Sequence, residues 1–122
     1  MDYCTRSDVE KRWGTRNVAK WADLDNDQNA ATIQAQIEWA IDAASRRIDM
    51  DLSGAGYVTP LEKAGLVNYH AAALAGAILY NARAVNISVE QVSPQAKNAE
   101  AEYTNWITCV YSGVPLAEQK KV

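Results

Sequence analysis

From residue 71 to residue 79 no polar side chain stands on any face of the chain. This run sits inside residues 61–85, which are rich in Ala and Leu, the best helix formers, with Pro60 in front and no proline within. A helix over residues 61–85 would be roughly 35 Å long. Apolar on every side at its centre, it has to be buried among neighbours instead of lying on a surface. Ala64, Gly65, Ala72, Ala73, Gly76 and Ala77 would let those neighbours approach closely. The apolar run is shorter than the ~20 residues a bilayer requires, so no membrane partner is expected.

Two other segments show one-sided patterns. Between residues 31 and 52, Ile33, Ile37, Ile41 (with Ala40), Ala44, Ile48 and Leu52 recur every three or four positions, the stripe of an amphipathic helix. Gln34, Glu38, Asp42, Ser45, Arg46 and Asp49 are expected opposite, toward solvent or a partner. Asp42–Arg46 and Arg47–Asp51 have the four-residue spacing of helical ion pairs, each worth a few tenths of a kcal/mol. Residues 94–112 carry a second stripe through Ala96, Ala99, Tyr103, Trp106 and Val110, opened by Ser93-Pro94 and closed by Gly113 and Pro115. Near the start, Thr5 and Asp8 have capping-box spacing, and Gly14 is a natural stop. Asn17 can start another short helix. These two short pieces must dock on the core through Val9, Trp13, Val18 and Trp21. The expected fold is all-α: about three longer helices plus short N-terminal ones, in a single domain over residues 1–122.

Composition narrows the function. With 122 residues, 48% hydrophobic, and a formal charge of −3, the chain is an ordinary globular one without the basic footprint of a tight nucleic-acid binder. Cys4 and Cys109 are far apart and form no metal or redox spacing. The opening residues lack the apolar stretch of a signal peptide, which points to two reduced thiols in a protein made inside the cell.

Candidate chemistry is sparse. Asp23, Asp25 and Asp27 match the first three ligand positions of a calcium-binding EF-hand loop, but Gln28 stands where that loop needs Gly and Gln34 where it needs a bidentate Glu. Carboxylates ahead of a helix also have a plainer use, complementing the positive end of its dipole. His70, the only histidine, has apolar helical neighbours and no nucleophile or further ligands nearby in sequence. A packed structural role is expected for it. No catalytic residue, metal or cofactor is therefore expected.

Taken in order, the motifs resemble the small head–tail connector (adaptor, head-completion) proteins of long-tailed bacteriophages and prophages. The resemblance covers nearly the whole chain. It starts at Tyr3-x-Thr5-x-x-Asp8 and Trp13-Gly14, and continues through the acidic loop into the Ile37–Leu52 pattern. Ile48-Asp49-x-x-Leu52 followed by Tyr57-x-x-Pro60 is its most specific piece, and Tyr80-x-x-Arg83 and Gly113-x-x-Leu116 complete it. One departure is that Gly54-Ala55-Gly56 precedes Tyr57 where relatives often carry Arg, which weakens any role for this loop that needs positive charge.

The resemblance implies a virion structural protein, made in the host cytoplasm. It would form a homo-oligomeric ring, commonly about twelve copies, by a head-to-tail contact. The ring would sit beneath the portal protein, extend the DNA channel without binding DNA specifically, and dock a stopper or tail-completion protein. Partner contacts are then expected at Glu38, Asp42, Arg46 and Asp49, at Gly54, Gly56 and Tyr57, and in a flexible C-terminal arm, residues 113–122, at Pro115, Leu116, Lys120 and Lys121. Two other classes stay open: a small helical nucleic-acid-binding or packaging-associated module, which would show clustered Arg and Lys on a recognition helix, and a small enzyme or calcium-binding domain, which would need a convergent polar constellation.

Overall fold

The structure, a computed structural model, describes residues 2–61, 65–86 and 94–112. It consists of α1 (Arg6–Trp13), α2 (Thr15–Ala22), α3 (Ala30–Gly54), α4 (Gly65–Asn86) and α5 (Pro94–Tyr111), with no strand among the described residues. The all-α architecture expected from the stripes is thus present. α4 is its axis and packs against each of the other four helices. Residues 71–77 are all buried, as a segment apolar on every side must be.

Close packing on α4 is sharpest at Gly76. The Trp13 indole lies against it so closely that an added Cβ would fall 1.9 Å from Nε1. That same Nε1–H donates to the Ala72 carbonyl at 3.1 Å, which satisfies the indole's one donor in the core. Trp13 meets Trp21 edge-on at 5.5 Å, and Trp21 meets Tyr80 at 5.3 Å, so the aromatics of α1 and α2 close over α4. Val9 and Val18 are fully buried beside them. Gly65, by contrast, has nothing within 4 Å of where a Cβ would stand.

Local signals explain most helix ends. Thr5 caps α1 with the reciprocal capping box: its hydroxyl accepts from the Asp8 N–H at 3.3 Å, and the Asp8 carboxylate accepts from the Thr5 N–H at 2.9 Å. Gly14, at φ 95, ends α1 and also opens α2. The second helix therefore starts at Thr15 and not at Asn17, whose amide turns back to donate to the Trp13 carbonyl at 2.9 Å. α3 closes in a Schellman motif: Tyr57 N–H donates to Leu52 O at 3.0 Å, and Gly56 N–H to Ser53 O at 3.1 Å. The reversal needs Gly56 at φ 93, a conformation side chains resist. Tyr57 and Leu52 are both buried, the apolar contact that accompanies this cap.

The central helix begins later than residue 61. Pro60, after a cis Thr59–Pro60 peptide, is not a first helical residue. Leu61 is instead pinned in the core, its N–H donating to the Tyr3 hydroxyl at 2.8 Å. Tyr3 joins the N-terminus to two helices. Its N–H donates to Ser45 Oγ at 3.0 Å, its hydroxyl donates to the Asp49 carboxylate, and its carbonyl accepts from Asn68 at 3.1 Å. At the far end, the Arg83 guanidinium donates to the Lys20 and Asp23 carbonyls, satisfying acceptors at the end of α2.

Candidate functional site

The acidic loop between α2 and α3 folds around Asp23. This buried carboxylate accepts from the Asp27 N–H at 3.2 Å and the Gln28 N–H at 3.0 Å, one through each oxygen. Asn26 and Gln28 sit at φ 55 and 57, so the chain makes the left-handed turn at Gln28 without glycine. α3 is capped by Asn29, whose side chain accepts from Ala31 N–H and Thr32 N–H. Asp25 and Asp27 are exposed. Among the described residues no three His, Cys, Asp or Glu side chains gather in a way that could hold a metal ion.

His70 is half-buried at the α4–α5 seam, stacked on Trp106 with ring centres 4.3 Å apart and edge-on to Tyr69 at 5.3 Å. Burial lowers its pKa, opposed by the charge of Glu102. Glu102 also accepts from the Tyr69 hydroxyl at 3.3 Å and pairs with Arg12 at 3.3 Å. The Arg12 guanidinium lies over the Trp13 ring at 5.1 Å and the Tyr69 ring at 5.6 Å. These contacts join α1, α4 and α5 in one aromatic and charged seam.

A cleft of about 330 Å³ lies beside the N-terminus, bordered by Cys4, Asp8, Gln34, Glu38 and Asn68. Burial, reinforced by Asp8 and Asp2, pushes the Cys4 thiol up to about 12, which keeps it protonated and a poor nucleophile. Asp8 is held below the usual carboxylate range, chiefly by the Asn68 amide and then by the Thr5 N–H. Its Oδ2 accepts from the Thr5 N–H, the Thr5 hydroxyl and the Asn68 amide. Cys109 is free and exposed.

The expected partner residues divide sharply. Glu38 is exposed and accepts from the Gln34 amide at 3.1 Å. Asp42 and Arg46 form the expected pair at 3.0 Å on the open face of α3. Asp49 is turned inward to Tyr3, and Tyr57 is buried in the cap of α3. Gly54 faces the Tyr111 hydroxyl, which an added Cβ would approach to 2.5 Å. Gly56 has open space around it. The Arg47–Asp51 pair does not form: Arg47 lies over the Tyr103 ring at 4.8 Å, while Asp51 accepts from the Tyr103 hydroxyl. Aromatic stacking suits the guanidinium plane, and the buried phenol needs an acceptor. Pro115, Leu116, Lys120 and Lys121 lie outside the described residues, as do Ala64, Ser93 and Gly113.

Pattern reading passed over Trp39 and Met50, both large, apolar and exposed on α3. The signal was available: both fall off the buried stripe, on its opposite side. Val58, Tyr69 and Tyr111 are exposed as well. No helix among the described residues is long and apolar enough to cross a membrane.

These features define a small all-α protein: a tightly knit bundle around one buried helix, with several large apolar side chains and an ion pair left on open surface. The family model of bacteriophage Mu, Gp36 matches residues 3–113, and the chain belongs to that family. Searches of curated proteins and of solved structures find no match.

Proposed function

We propose that this protein is a non-enzymatic structural component of the phage particle, a head–tail connector. It assembles as a ring beneath the portal, extends the DNA channel, and offers a docking face to the tail or a stopper protein. The observation that carries this reading is the match to a phage family across residues 3–113. Three further features support it. The bundle is held rigid by buried tyrosine and tryptophan hydrogen bonds, as a subunit under load requires. Its surface retains Trp39, Met50, Val58, Tyr69 and Tyr111 for contact with other proteins. A net charge of −3 suits a passage that DNA slides through, since basic contacts to phosphate would hold it.

The test is the mass of the purified protein mixed with the portal ring of the same phage. The connector reading expects a complex in which the subunit saturates the portal at a fixed copy number. A subunit that ignores the portal contradicts it. A packaging-associated nucleic-acid module is the second reading, favoured by Lys11, Arg16 and Lys20, all exposed on α1 and α2. It expects duplex DNA binding that weakens steeply with salt.

A further inference from the structure

Away from the core, α3 carries a second stripe. Ala35, Trp39, Ala43, Arg46, Met50 and Ser53 follow one another at three- and four-residue steps, the spacing of a single helix face. Trp39 is 49% exposed and Met50 68%. Trp39 and Met50 are about 16 Å apart along the axis, given a rise of 1.5 Å per residue. Between them the face is low at Ala43 and charged at Arg46. The Arg46–Asp42 pair is open to water, its side chains 80% and 49% exposed.

This stripe is its own complement. Measured from Ala44, Trp39 lies five residues before and Met50 six after, while Asp42 lies two before and Arg46 two after. An antiparallel copy centred there brings Trp39 onto the partner subunit's Met50, and Asp42 onto the partner subunit's Arg46, each contact occurring twice. Asp42 and Arg46 lie on the same side of the stripe, and a two-fold axis between antiparallel helices keeps that side common to both copies. Small Ala43 at the centre lets the helices approach.

We propose that this face of α3 pairs with the same face of a second copy, antiparallel across a two-fold axis. The apolar ends and the alternating charges both find their partners in an identical chain, which is the requirement of a self-complementary contact. The two exposed ion pairs merge into one four-charge cluster, and networks of this kind contribute where isolated surface pairs do not. One helix-on-helix contact is at the small end of specific interfaces, under about 1,200 Å², so the pairing depends on concentration. It is independent of the connector reading, because a two-fold contact closes on itself whereas a ring needs a head-to-tail one.

Sedimentation equilibrium of the full chain through the micromolar range tests the pairing, with circular dichroism confirming that each variant is folded. The wild-type mass doubles as concentration rises. Trp39→Ala moves that midpoint upward by about tenfold or more, the loss of one anchor from each subunit. Asp42→Arg alone and Arg46→Asp alone remain monomeric, since each sets four like charges around the axis. An equimolar mixture of these two variants restores the dimer, because one presents only arginines at the two positions and the other only aspartates. A wild type that stays monomeric throughout overturns the proposal, as does a dimer indifferent to all three substitutions. A mixture that associates no better than its components also overturns it, and a larger assembly that needs Trp39 but is not rescued by mixing assigns the face to a head-to-tail contact instead.

Discussion

Gly76 and Gly65 sit in the same helix and look alike in sequence, yet their surroundings are opposite. A methyl at Gly76 must displace the Trp13 indole and its bond to the Ala72 carbonyl. Overpacking of that kind costs about 1–3 kcal/mol, more than the roughly 1 kcal/mol that alanine gains over glycine in a helix. Gly76→Ala should therefore lower the melting temperature, whereas Gly65→Ala, with open space around it, should leave it unchanged or raise it. Thermal melts of the two variants check this. His70 sets a pH dependence of known sign. Its folded pKa is depressed by burial, so the unfolded chain binds the proton first as pH falls. Its contribution is complete above the ordinary value of 6.5 and is lost as pH drops from there toward the lowered folded value. In wild type, stability should fall on acidification through this window; in His70→Gln that part of the slope should vanish, as denaturant titrations at stepped pH would show.

The helices themselves were legible because their signals are local. The capping box at Thr5, the stop at Gly14, and the buried stripe of α3 all stand where sequence spacing puts them. What escaped was set by long-range contacts. The place of Leu61 outside α4 follows from its N–H being held by Tyr3, 58 positions away. The missing Arg47–Asp51 pair follows from Tyr103 of α5 recruiting both side chains. Of the expected partner residues, Asp49 and Tyr57 proved to be inward for the same reason: helical spacing cannot show that a Tyr3 hydroxyl will reach Asp49 or that a Schellman cap will bury Tyr57. Tyr3 is thus the tie between the N-terminal segment, α3 and the start of α4. Tyr3→Phe keeps the ring but leaves the buried Leu61 N–H without its acceptor, a loss of about 1–3 kcal/mol. A lower denaturation midpoint with an unchanged slope is expected, together with faster hydrogen exchange near Leu61.

At the scale of the whole molecule, α4 holds four helices in one core, and the groups left outward among the described residues include an open ion pair, exposed aromatics and a methionine. Such a surface suits contact with other proteins, and membership of a phage family supports reading that contact as part of phage assembly. The connector reading makes one outcome decisive. In a phage whose gene for this protein carries an early stop, electron microscopy of the lysate should show DNA-filled heads and finished tails that fail to join, with joining restored by the wild-type gene. Normal joined particles, or heads left empty of DNA, would contradict the account.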